Sequence, residues 1–139
     1  MKILTVAIPC YNSEAYMTKE RDHAVVGGDD VEVLVIDDGS KDKTLEIARD
    51  YERRFPTIVR AIHQENKGHG GAVNTGIASA EGIYFKVCDS DDWLDYDSYM
   101  TALKVLKNAL AGPETLDALI ANYIYEKVGA KKKRGMRYV

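Results

Sequence analysis

The segment FKVCDSDDWLDYD, residues 85–97, sets Asp89, Asp91, Asp92, Asp95 and Asp97 directly after an apolar run. Two unit charges about 4 Å apart repel by roughly 4 kcal/mol at an effective dielectric near 20. Carboxylates so crowded are either solvated separately or gathered around something positive. A hard divalent cation suits them, since it takes oxygen ligands and commonly shares them with substrate phosphates. On an extended chain the Asp-x-Asp spacing turns Asp89 and Asp91 toward one face, with Asp92 next to them. Acidic turns are common, so the spacing alone leaves a solvated surface open.

Other segments carry compatible chemistry. Asp37 and Asp38 follow the run VEVLVI; aspartates often end strands and start turns, but a carboxylate there can also accept a hydrogen bond from a nucleobase N–H. NKGHGGAVNTG is glycine-rich and opens a helix, whose free backbone N–H groups and dipole suit a phosphate. It has neither the phosphate-loop nor the dinucleotide glycine spacing. Tyr11 stands where it could stack on a base or simply be a half-exposed strand-end tyrosine. Trp93 is expected to pack beneath the acidic loop. Cys10 and Cys88 each end an apolar run and read as small buried thiols. Neither they nor His23, His63 and His69 show a metal-ligand spacing.

Positioning these groups requires particular elements. ILTVAI (3–8) reads as a buried strand ended by Pro9, and 14–26 as a helix with a thin apolar face. A turn over 27–30 leads to a β-branched strand at 31–37. Ser40 or Asp42 is expected to cap a helix in which Leu45, Ala48, Tyr51 and Phe55 share a face and which Pro56 stops. A third strand at 57–63, a loop at 65–71, a helix at 72–80 stopped by Gly82 and a fourth strand at 83–88 follow. Tyr99, Leu103, Leu106 and Leu110 mark a clearer helix ended by Gly112 and Pro113. Residues 116–128 are expected to form a fifth strand, with GAKKKRGMRYV turning into another.

Strands alternating with helices predict an α/β fold: an open, mostly parallel sheet with helices on both faces. Ligands in such sheets bind beyond the carboxyl ends of the strands. Those ends deliver Pro9, Tyr11, Asn12 and Glu14; Asp37 and Asp38; Asn66, Lys67, Gly68 and His69; and Asp89, Asp91 and Asp92. All the polar signals fall on one edge, as a single site requires.

The chain has 139 residues, 45% hydrophobic and 29% charged, with a formal net charge of −3, which fits one soluble domain and argues against a general nucleic-acid partner. No run approaches the roughly 20 apolar residues of a membrane span, and the N-terminus lacks a signal-peptide pattern, so a cytoplasmic location is expected. The basic run Lys131–Arg134 reads as a solvated hairpin or as an attraction to anionic lipid at the membrane's inner face.

The blocks TVAIPCYNSEAYM, VEVLVIDDGSKDKT and ENKGHGGAVNTGIASAEGIYFKVCDSDDW, in this order over residues 3–95, resemble the nucleotide-sugar-binding half of family 2 glycosyltransferases. The resemblance implies a GT-A fold and inverting transfer of a sugar from a nucleotide-diphosphate donor, with a UDP-sugar the expected donor, to a hydroxyl of a carbohydrate or lipid-linked acceptor. It implies that Pro9, Tyr11 and Glu14 surround the base and ribose, that Asp37 or Asp38 reads the base, and that Lys67 faces the nucleotide. Asn12, Gly68 and Asn74 belong to the same matched motifs and join the substrate-binding set. Asp89 is implied near the ribose and Asp91 as the holder of Mg2+ or Mn2+, with Asp89 and Asp92 alongside as metal-ligand candidates.

The chain departs from the family at Val73, where arginine is common, and in the polar character of the helix after Glu14. No later carboxylate, Glu114, Asp117 or Glu126, sits in a base motif. The general base is therefore expected beyond residue 139, with residues 1–128 binding the donor, 129–139 opening an acceptor-side segment, and this chain alone transferring poorly. A sheet cut short there would expose an apolar edge and favour a homo-oligomer. Competing readings are a receiver domain with Asp89 or Asp91 as phosphoacceptor, a nucleotidyltransferase, and a nucleotide-sugar-binding module without catalysis.

Overall fold

The computed structural model describes residues 1–15, 17, 25–91, 94–113, 116–119, 123–125 and 134–136. Its centre is a strand pair covered on both faces. Strand β1 (Leu4–Cys10) and strand β2 (Val31–Asp38) are buried at every position. A parallel strand sandwiched between helices needs no polar alternation, which explains the continuous apolar runs. Helix α1 (Thr44–Arg54) buries Thr44, Ala48 and Tyr51, one side of the cylinder. Strand β3 (Val59–Gln64), helix α2 (Gly68–Ser79) and strand β4 (Tyr84–Val87) follow. Helix α3 (Tyr96–Ala111) then buries Tyr99, Leu103 and Leu106 of the stripe read from the sequence, while Leu110 near its end is exposed.

All four strands are parallel, in the order β3-β2-β1-β4. Because side chains alternate along a strand, the sheet has two distinct packing faces. Val6, Ile8, Val33 and Val35 meet Ala48 and Tyr51 of α1 and Tyr99, Leu103 and Leu106 of α3. On the other face Ala7, Leu34 and Ile36 meet Ala72 of α2. The α/β fold with helices on both faces is thus present.

A charged node sits at the amino-terminal end of the sheet. The Glu32 side chain, 4% exposed, accepts from Thr5 Oγ1 at 2.9 Å, Arg60 Nη2 at 3.0 Å and Glu81 N at 2.8 Å. Thr5 Oγ1 also takes the Gly82 N–H at 2.9 Å. Residues from β1, β2 and β3 and the approach to β4 are joined there.

Several element boundaries differ from expectation for identifiable reasons. Strand β1 runs through Pro9, whose missing N–H lies on the β4 side, and that ladder stops at Ala7↔Val87. Helix α2 starts at Gly68, so GHGG is its first turn rather than a loop. Gly82 does not stop that helix, which ends at Ser79; it lets the chain pass close to β1, since a Cβ there would lie 2.5 Å from Thr5 N. The fifth strand is not in the main sheet. Residues 116–119 are not a strand, and the Leu116 carbonyl accepts from the Tyr84 hydroxyl at 2.6 Å. Strand β5 (Tyr123–Tyr125) pairs antiparallel with β6 (Arg134–Met136) as a separate two-stranded sheet. Of the helix expected over 14–26, Glu14, Ala15, Met17 and Val25 are helical, Val26 is already in a turn, and the remaining positions lie outside the described residues, as do Trp93 and Lys131–Lys133. Among the described residues no helix is long and apolar enough to cross a membrane.

Candidate active site

From β1 the sheet grows through β2 to β3 on one side, while β4 adds on the other. The topological switch point therefore lies between β1 and β4, where such sheets leave a crevice beyond their carboxyl ends. A cleft of about 470 Å³ opens there. The exit of β1 lines it with Pro9, Cys10 and Tyr11, β2 with Asp38, and the exit of β4 with Asp89 and Ser90. Asn66 and the start of α2, Gly68, His69 and Ala72, form the remaining wall.

The two aspartates ending β2 have opposite environments. Asp37 faces the α1 side and is fully buried; its carboxylate takes the Ser40 N–H at 3.1 Å and lies 2.7 Å from His63 Nδ1. The β2–β3 register, Asp37↔His63, dictates that pairing. Asp38, one residue on, turns to the other face and into the cleft. Its Oδ1 accepts from Lys67 N at 2.7 Å and from Gln64 Nε2 at 2.9 Å, while Oδ2 bonds to no described residue. Its carbonyl accepts from Asn66 Nδ2 at 3.0 Å, so Asp38 holds the segment that starts α2. Gly39 permits this closeness: it has φ +75°, and a Cβ there would lie 2.8 Å from Asn66 N.

The β1 exit is bonded to the loop that precedes α1. Asn12, in the left-handed region at φ 49°, donates its N–H to Ser40 Oγ and accepts from Lys41 N at 2.8 Å. Ser13 N donates to Thr44 Oγ1 at 2.8 Å, and Glu14 N to Asp42 Oδ2 at 3.2 Å. The N-cap position of α1 is Lys43, which makes no side-chain cap bond, rather than the expected Ser40 or Asp42; Asp42, just before it, takes the first amide of α1, Thr44 N, at 2.9 Å and also the Thr44 hydroxyl. Burial alone would raise the Asp42 pKa, but bonds from the Thr44 hydroxyl and from the Thr44 and Glu14 amides hold it below the ordinary carboxylate value.

The acidic segment divides by role. Asp95 caps α3, accepting from Ser98 N at 3.0 Å, and Asp97 lies in the helix's first turn, where its charge suits the dipole. Asp89 and Asp91 stay exposed beyond β4; Asp89 Oδ1 is 3.8 Å from His69 Nε2. Among the described residues no three His, Cys, Asp or Glu side chains converge as a metal cage. The donors present, Asp89 at the cleft and Asp91 beyond it, are oxygen ligands of the kind Mg2+ uses when phosphates complete its shell. They fit a cation shared with a diphosphate.

Among the residues expected from the sequence, Pro9, Tyr11, Asp38, Gly68 and Asp89 line the cleft. Asn12 and Glu14 brace the adjoining loop, Asp37 is enclosed, and the exposed Asn74 and Asp91 are not in the lining. Lys67 enters through its backbone N–H to Asp38. Asp92 lies outside the described residues. Asn66 and His69, expected at that edge but given no role, also line the cleft, as do Cys10, Ala72 and Ser90, which were not expected there. Asn66 and His69 had a signal, their place at a strand end. Ser90 had the middle of Asp-x-Asp, but Cys10 and Ala72 look like ordinary core residues in sequence.

The family profile described as "Glycosyl transferase family 2" matches residues 5–133. Chondroitin synthase from Escherichia coli is 36% identical over 110 residues, covering 78% of this chain and 16% of its own. A crystal structure of S. aureus TarS residues 1–349 with UDP-GlcNAc superposes with a TM-score of 0.66 at 29% identity, covering 79% of this chain and 32% of that one. The mannosyltransferase PcManGT from Pyrobaculum calidifontis, in complex with GDP-Man and Mn2+, gives 0.64 at 27% identity, with 79% and 32% coverage. The matched region spans well under half the length of the curated relatives compared, 16% to 39% in three of them. The strand order β3-β2-β1-β4 also differs from the 2-1-3-4-5 order of a receiver sheet. By sequence and by fold, the chain belongs to glycosyl transferase family 2.

Proposed function

We propose that this chain is the donor-binding part of a metal-assisted, inverting glycosyltransferase that uses a UDP-sugar. The observation that carries the reading is Asp38: an aspartate in the cleft whose Oδ1 is committed to the protein and whose Oδ2 is not. In this reading Oδ2 accepts a base N–H while the half-exposed Tyr11 ring stacks on the base. Pro9, Asn12, Glu14 and the enclosed Asp37 shape that end. The first amides of α2, from Gly68 onward, lack intrahelical partners and suit the diphosphate. Lys67 and Asn74 flank it. Asp89 and Asp91, with Asp92, hold the cation, Mg2+ or Mn2+; when bound it neutralises charge on the leaving diphosphate. The related TarS and PcManGT complexes, with UDP-GlcNAc and with GDP-Man and Mn2+, support this class of ligand.

Residues 1–128 form the donor domain in this proposal, and 129–139 begin the acceptor side. An acceptor hydroxyl of a carbohydrate or lipid-linked glycan attacks from the face opposite the diphosphate, and a carboxylate base removes its proton. We place the enzyme at the cytoplasmic face of the membrane, where the basic run Lys131–Arg134 would meet anionic lipid; the charge of that run is the support. Calorimetric titration with UDP, GDP and ADP, each with and without Mn2+, tests the core of the proposal. Binding of UDP alone, strengthened by Mn2+ and no longer metal-dependent in Asp91→Ala, is expected. Indifference to all three nucleotides would sink it.

A further inference from the structure

We infer that Ser13 is a positioning residue that ties the base side of the cleft to its cation side; the inference rests on the donor-site reading above. Ser13 is 2% exposed, yet it is polar and lies between three loops. Its N–H goes to Thr44 Oγ1 at 2.8 Å, anchoring it to the first residue of α1. Its Oγ accepts from Tyr11 N at 3.2 Å and meets Ser90 Oγ at 2.8 Å. Ser90 is the residue between Asp89 and Asp91, and Tyr11 and Ser90 both line the cleft. One buried hydroxyl therefore contacts the backbone of the base-side wall and the side chain at the middle of the acidic pair.

A nucleoside diphosphate with its cation must touch both walls at once. If the walls are held at a fixed separation, binding at one pre-orders the other, and the two ligands strengthen each other by the same factor in either order. Losing the Ser13 hydroxyl lets each wall be ordered separately. The effect then falls on the coupling between UDP and cation, not on UDP affinity measured without metal. A role confined to stability would lower the unfolding midpoint and leave the coupling intact.

The test is the ratio of UDP affinity with and without Mn2+, measured calorimetrically on the 139-residue chain. Ser13→Ala is expected to lower that ratio about fivefold, the factor that one net neutral hydrogen bond carries. Ser90→Ala should lower it as well, and the double variant by less than the product of the two losses, because both remove the Ser13–Ser90 contact. An unchanged ratio in Ser13→Ala, or losses that multiply in the double variant, overturns the inference. Should Ser13→Ala not fold, Ser90→Ala at the partly exposed partner decides alone, and an unchanged ratio there overturns it. A wild-type ratio of one instead removes the donor-site reading and the inference together.

Discussion

Replacing Asp38 by Asn separates recognition from folding at the residue on which the donor reading turns. Asp38 is 3% exposed, and both of its side-chain bonds, to Lys67 N and Gln64 Nε2, fall on Oδ1. An asparagine can keep its oxygen on those two donors and present its NH₂ where Oδ2 stood. Folding then loses only charge assistance, about 1 kcal/mol or less. A base N–H, however, meets a donor in place of an acceptor. Hydrogen bonds to charged groups are worth about 1.5–3 kcal/mol, so UDP affinity should fall roughly 10- to 100-fold. Asp38→Ala is the contrast: it removes the acceptor from two partly buried donors, with a loss of about 1 kcal/mol of stability for each bond. Calorimetry with UDP and Mn2+ reads the affinity, and urea unfolding reads the stability. A folded Asp38→Asn protein that binds UDP within about threefold of wild type refutes the base-reading role.

Two further substitutions probe the frame. Gly82→Ala places a Cβ 2.5 Å from Thr5 N and 2.8 Å from the Leu4 carbonyl carbon, backbone atoms that cannot swing away; a loss of about 1–3 kcal/mol is expected, read as a lower urea midpoint at unchanged slope. Asp42→Ala removes the carboxylate that accepts the first amide of α1 and should cost about 1 kcal/mol at neutral pH. Because the folded Asp42 pKa is depressed, its stabilisation is full above the unfolded value of about 3.9 and is lost as pH falls through the lower folded value. The variant's acid limb below about pH 4 should therefore be flatter than wild type, as urea midpoints against pH would record.

The sequence carried the location of the site better than its composition. Strand β2, eight buried residues, and the buried stripe of α3 were legible because hydrophobic runs and 3.6-residue spacing report burial directly. Polar residues at strand ends then marked the cleft edge. The division between Asp37 and Asp38 was not legible, since it depends on which face each residue takes and on His63 lying opposite Asp37 across the sheet. The early start of α2 was hidden because glycines give no apolar period; Asp38 and Asn66 fix that turn from elsewhere in the chain. The acidic crowd looked like one cation site, yet Asp95 and Asp97 belong to the start of α3. Local capping and tertiary ligation recruit the same residue type, and only the helix boundary tells them apart.

The Glu32 node lies at the end of the sheet away from the cleft, and it has a consequence for how this architecture diversifies. A one-residue slip of any strand would flip its side chains to the opposite layer, and here it would also strand a charged group in the interior without its partners. Alignment of the strands is thus enforced far from where substrate chemistry is decided. Loops at the opposite rim can change length or side chain without putting strand alignment at risk, so the cleft can be refitted to a different ligand while its scaffold stays unchanged.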